Sequence, residues 1–116
     1  MKNANHRFQQ CNGAAAYYRH KLFNTTFTSG VKEVADELSC YWFIDLIFSH
    51  QLRSIVRNQR FQVWKLERVK GSRFKATCTD GNDNQITHQN IPFSDFEDDE
   101  LTLWLVDGVL LLPSEY

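Results

Sequence analysis

Residues 61–79, FQVWKLERVKGSRFKATCT, decide the fold class. Phe74, Ala76 and Cys78 alternate with Arg73, Lys75, Thr77 and Thr79, the period of two that a half-buried strand requires. Before them, about Phe61–Val69 reads as the partner strand, with Trp64 and Leu66 on one face and Gly71-Ser72 marking the loop. A two-residue loop would set Val69 opposite Phe74 and bring Lys65 opposite Cys78, onto the core face. A three-residue loop, Lys70 to Ser72, sets Leu66 opposite Ala76, Trp64 opposite Cys78 and Glu67 opposite Lys75. The second register joins apolar to apolar and opposite charge to opposite charge, so it is the expected one.

Further along, Asp80-Gly81-Asn82-Asp83-Asn84 has the composition of a turn. Gln85–Ile91 reads as a third strand stopped by Pro92, and Asp95–Glu100 as an acidic loop or single helical turn. Leu101–Val106 and Val109–Leu112 are joined by Asp107-Gly108, the strongest two-residue hairpin signal in the chain. Working back instead, Val31, Val34, Ala35 and Leu38 recur at helical spacing behind a Thr28 or Ser29 cap, which predicts a helix over Gly30–Leu38. Cys40–Gln51 is apolar almost all round, so a second helix there is expected to be covered on two sides. Asn12 can cap a short helix over Ala14–Leu22, while 24–28 is too β-branched and polar for one. These elements predict an α+β domain: two to three N-terminal helices packed on one face of a four- to five-stranded antiparallel meander sheet. Residues 1–12 are expected as a flexible arm and 13–116 as a single domain.

Composition agrees with that reading. The chain has 116 residues, one domain's worth, and its 42% hydrophobic and 23% charged content is that of an ordinary globular protein. The longest apolar run, Tyr41–Phe48, is interrupted by Asp45 and is far short of the roughly 20 residues of a membrane helix. A polar N-terminus without a signal-peptide stretch, and three cysteines without a CxxC, predict a reduced, cytoplasmic protein with no membrane contact. Charge is segregated along the chain. Residues 51–75 hold eight basic residues against Glu67 alone, whereas 76–116 hold nine acidic residues and no Lys or Arg.

Motifs for chemistry are missing. There is no CxxC, HxxxH or HExxH for a metal, no GxSxG for a nucleophile and no GxxxxGK or GxGxxG for a phosphate. No cofactor is called for. Cys40 and Cys78 fall on core-facing positions, where a thiol behaves as a small hydrophobe. Asp45 stands out as a carboxylate among Ile44, Leu46 and other apolar neighbours. It is either a pocket acid, a buried ion-pair member with Arg19 or another base as partner, or the one wet edge of its helix. Tyr17, Tyr18, Arg19 and His20 cluster phenol, guanidinium and imidazole, and would either line a cleft or simply pin a short helix to the core. Arg53, Arg57, Arg60, Lys65, Arg73 and Lys75 are the candidates for a phosphate-binding face. The competing reading is that the basic stretch meets the acidic one, within the chain or between two copies.

Taken together, YYRH (17–20), GVK (30–32), YWFID (41–45), FQVWKL (61–66) and GVLLLPSEY (108–116) resemble a family of small bacterial and phage proteins known only as a domain of unknown function. The resemblance covers about residues 13–116, and LLLPSEY is its most specific piece. In that family an Asp often precedes the glycine where this chain has Ser29. A helix cap survives that change, and a ligand role for the Asp would not. The resemblance implies domain extent and element order, and no activity. Three classes therefore stand. The first is a non-enzymatic protein interaction module of phage or mobile-element type, with a protein partner or a second copy. The second is a nucleic-acid-associated protein using 53–75. The third is a small enzyme or ligand pocket around Asp45 and Tyr17–His20.

Overall fold

The structure, a computed structural model, describes residues 2–8, 17–19 and 25–116. Among the described residues four α-helices, α1 (Ala4–Arg7), α2 (Ser29–Leu38), α3 (Tyr41–His50) and α4 (Ser54–Arg57), accompany seven strands. The strands are β1 (Tyr17–Arg19), β2 (Thr26–Thr28), β3 (Phe61–Lys70), β4 (Arg73–Thr79), β5 (Gln85–Ile91), β6 (Glu100–Val106) and β7 (Val109–Leu111). They form one mixed sheet in the order β1-β2-β7-β6-β3-β4-β5, in which β2 and β7 run parallel. The class is α+β, as the residue pattern predicts, but the sheet is larger than five strands and not purely antiparallel.

The β3–β4 hairpin has the expected register, with Trp64 opposite Cys78, Leu66 opposite Ala76 and Glu67 opposite Lys75. It closes in a way neither loop length anticipated. A bulge between Arg68 and Lys70 lets Lys70 pair with Arg73. The turn itself is then only Gly71-Ser72, with Gly71 at φ +57°. Asp107 and Gly108 both have positive φ, 49° and 83°, which is the two-residue turn that Asp-Gly favours.

The meander is the main correction. After β5 the chain does not add the next strand outside it. Residues 92–99 cross back, and β6 pairs with β3 on the side away from β4. The side chains explain the order. Leu101, Leu103 and Leu105 are all buried, as a central strand demands, whereas His88, Gln89 and Asn90 of β5 are exposed and suit an edge. The crossing is clamped by Arg68. Its Nε bonds the Asp99 carboxylate at 2.8 Å, and its Nη2 donates to the carbonyls of Phe96, Glu97 and Asp98 at 2.9, 3.3 and 3.2 Å. Its Nη1 donates to the Gly71 carbonyl, and the guanidinium lies 4.6 Å above the Phe74 ring.

The helix over Ala14–Leu22 is also corrected where it can be seen. Tyr17, Tyr18 and Arg19 form strand β1, paired with β2, and the Tyr18 ring stacks on Phe27 at 5.7 Å. Adjacent tyrosines suit a strand better than a helix. Residues 14–16 and 20–22 lie outside the described residues. Within the segment expected as an arm, residues 2–8 lie along β6. The Asn5 amide donates to the Thr102 carbonyl at 2.7 Å and accepts its N–H at 2.6 Å, while Ala4 and Phe8 are buried.

Helix α2 starts as predicted, with the Thr28 hydroxyl accepting the Val31 N–H at 3.2 Å. That hydroxyl donates in turn to Glu115 Oε1 at 2.6 Å, which also accepts the Leu112 N–H at 2.9 Å. The Glu115 carboxylate therefore sits on the N-terminus of α2, where a negative charge is favoured. Gly30 makes room for it, because a Cβ there would lie 2.7–2.9 Å from the carboxylate atoms. This contact is the structural role of the LLLPSEY ending. Helix α3 buries Phe43, Ile44, Ile47 and Phe48. It is not covered on two sides, since Tyr41, Asp45 and Ser49, spaced by four, form an exposed stripe.

Two expectations follow. Gly30→Ala should lower stability by about 1–2 kcal/mol by displacing the Glu115 carboxylate. In a Glu115→Ala background the same change should be neutral or stabilising by up to about 1 kcal/mol, because Ala is the better helix former. Denaturant melts of the four proteins check the sign reversal. The second concerns Asp99, whose carboxyl is held below its ordinary range by the Lys2 N–H and by Arg68. A lowered folded-state value gives stabilisation that is full above the ordinary carboxylate pKa of about 4 and is lost as pH falls from there through the folded-state value. Asp99→Asn should melt below the parent protein at neutral pH, and thermal melts at falling pH should show the difference closing.

Candidate functional site

The basic residues singled out in the sequence do not share one face. Lys65 lies on the sheet face opposite Trp64 and bonds Glu100 at 2.9 Å, with Glu67 at 3.7 Å. The Glu100 bond, with Glu67 adding its charge, holds the Lys65 ammonium above its ordinary pKa despite partial burial. Arg60 meets Asp107 at 3.1 Å, and Arg68 meets Asp99. Three members of the basic stretch thus reach carboxylates of the acidic third of the chain. Lys75 stands opposite Glu67 in the hairpin, and Arg73 is exposed at its turn.

Arg53 and Arg57 differ, because the bonds that hold them go to neutral groups. Arg53 Nη1 donates to the Thr87 hydroxyl at 3.1 Å, and Arg57 Nη1 to the carbonyls of Gln51 and Leu52 at 3.2 and 3.3 Å. The latter places a cation at the C-terminus of α3, where the helix dipole welcomes it. In the same stretch, the α3–α4 corner, Leu52 and Ile55 are 71% and 58% exposed. Beside it opens a cavity of about 380 Å³, lined among others by Phe48, Leu52, Arg57, Arg60, Leu105 and Asp107. That volume is in the range of ligand pockets.

The corner is fixed by a residue that the sequence reading passed over. Gln62 is fully buried. Its Nε2 lies within donating distance of Gln51 Oε1 (2.9 Å), the Val56 carbonyl (2.9 Å) and the Gln59 carbonyl (3.0 Å). Its Oε1 accepts from Gln51 Nε2 and from Trp64 Nε1, both at 2.9 Å. One buried amide so ties the end of α3, helix α4 and strand β3 together. The signal was present in the period of two, which places Gln62 on the same face as Trp64 and Leu66. Leu52 and Ile55, three apart among arginines, were likewise legible as an apolar pair.

The other candidates separate. Asp45 is exposed on α3, at the wet edge of its helix and not buried among its apolar neighbours. Tyr17, Tyr18 and Arg19 are exposed on β1, and His20 lies outside the described residues. Lys32 lies 5.6 Å above the Tyr18 ring and bonds Asp36 at 2.7 Å, which also accepts the Tyr41 hydroxyl at 2.6 Å. The groove beside Tyr18 is lined by Ser29, Lys32, Glu33, Asp36 and Glu37, without Asp45. Cys40 and Cys78 are buried, and desolvation pushes both thiols up to about 12, with Asp98 adding to the effect at Cys40. Among the described residues no three His, Cys, Asp or Glu are placed to hold a metal ion.

Gln62→Leu tests the hub. The change keeps the volume but strands the Trp64 N–H and two carbonyls, and should cost about 2–4 kcal/mol in denaturant melts. Backbone amides of 51–60 should exchange faster in the variant than those of β3 and β6.

No curated protein and no solved structure matches the chain. A family model does, over residues 2–116, and its description is a family of unknown function (DUF6876). The match includes the N-terminal residues that lie along β6 as well as the LLLPSEY ending, and the chain belongs to this family.

Proposed function

We propose that this chain is a non-enzymatic interaction module whose contact surface is the α3–α4 corner, and that it takes acidic, aromatic-bearing protein segments. One observation carries the reading. Within the short stretch 52–57 two arginines bond neutral groups and two aliphatic side chains are exposed, and Leu52 and Arg57 of that stretch line a cavity of about 380 Å³. Arginine beside apolar surface is the composition of protein contact sites. Phosphate binding along a nucleic-acid strand needs a continuous basic track with exposed aromatics. Here Lys65, Arg60 and Arg68 already meet carboxylates, and Trp64 and Phe74 are buried.

The test is an NMR titration of the labelled chain with a short peptide alternating Glu and Phe, and separately with a single-stranded oligonucleotide at low salt. The peptide should shift the amides of 51–60 and leave those of β4 unmoved. Oligonucleotide binding at the same amides, falling steeply with salt, would replace this reading with the nucleic-acid one. Silence from the peptide would remove it.

A further inference from the structure

The other end of α3 carries the complement of this corner. Phe93 is 73% exposed beside Asp95 and Glu97, which are exposed as well. It borders a shallow hollow shared with Trp42 and Ile91. The loop holding it is rigid by construction. Phe96 is buried with its ring 5.8 Å from that of Phe74, its N–H bonds the Ser94 hydroxyl, and Arg68 holds three successive carbonyls. Phe93 is therefore presented to water by a fixed loop, already in place for binding and with little ordering cost left to meet.

Resting on the proposed function above, we infer that the segment taken by the α3–α4 corner is the Phe93–Glu97 loop of a second copy of this chain. Such a contact sets Arg53 and Arg57 against Asp95 and Glu97, and the exposed Phe93 ring against the exposed Ile55 and Leu52, the latter lining the cavity of about 380 Å³. The contact cannot close within one chain. Trp42 and Leu52 are ten residues apart at the two ends of α3, about 15 Å along its axis, and the loop is pinned by Arg68. Because the two patches differ, each copy offers one loop and one corner.

Sedimentation velocity of the full chain at low and high salt tests this. The parent protein should associate at low salt and dissociate as salt screens the arginine–carboxylate pairs. Arg53→Glu with Arg57→Glu, and separately Asp95→Lys with Glu97→Lys, should each remain monomeric. An equal mixture of the two should associate again, since one natural and one reversed contact are then available. Arg57 also caps α3, so Leu52→Ser serves as the variant without a structural duty and should weaken association at least about tenfold, some 1.4 kcal/mol. A parent protein that stays monomeric at low salt overturns the inference, as does a mixture that fails to associate although both variants fold by circular dichroism. If the Glu/Phe peptide still binds the corner, the inference alone fails. If the peptide does not bind, the functional reading fails with it.

Discussion

The Arg68 guanidinium is the constraint on which this fold depends. It sits at the end of β3, and its donors reach an exposed turn, three loop carbonyls and a carboxylate. A long crossing between an edge strand and a central one pays loop entropy before any pairing rewards it. Gathering the carbonyls of Phe96, Glu97 and Asp98 on one cation offsets that cost. It also leaves β6 in register with β3, where Leu101, Leu103 and Leu105 continue the face of Trp64 and Leu66. Every strand beyond β6, including the parallel pair of β2 with β7, follows from that placement.

The same interaction explains the charge segregation. Basic residues gather before and along the β3–β4 hairpin, and acidic residues on the turn after it, the crossing and the β6–β7 hairpin. Folding joins them at Arg60–Asp107, Lys65–Glu100 and Arg68–Asp99. Exposed and half-buried ion pairs add little to stability, so the value of these three lies in selecting which strand sits beside β3. At the two ends of α3 the scheme leaves Arg53 and Arg57 bonded to neutral groups and Asp95 and Glu97 on an exposed loop. These ends give the surface its polarity.

Much of this was legible in residue pattern. Alternation fixed the β3–β4 register because a slip by one residue would have put Lys65 in the core. Asp107-Gly108 announced its turn, and Thr28 its helix, through local chemistry. Strand order was not legible, because Gln85–Ile91 and Leu101–Val106 both read as strands, and only their packing decides which is central. The strand at Tyr17–Arg19 was hidden because three residues carry no period. Asp45 stayed open between a buried and a wet position because its neighbours in sequence are apolar, whereas its neighbours on the helix surface, Tyr41 and Ser49, are exposed. Of the site, the arginines stood out by charge, whereas Leu52 and Ile55, legible three apart among them, were passed over. Gln62 needed the recognition that a polar side chain on a core face must find partners.

The most direct measurement is an isotope-filtered NOE experiment on a mixture of labelled and unlabelled chain at low salt. Association of the proposed kind should give intermolecular contacts from the Phe93 ring of one copy to the Leu52 and Ile55 methyl groups of the other. Intermolecular contacts confined to the Phe61, Trp104 and Tyr116 rings on the opposite sheet face, or none at all, would contradict it.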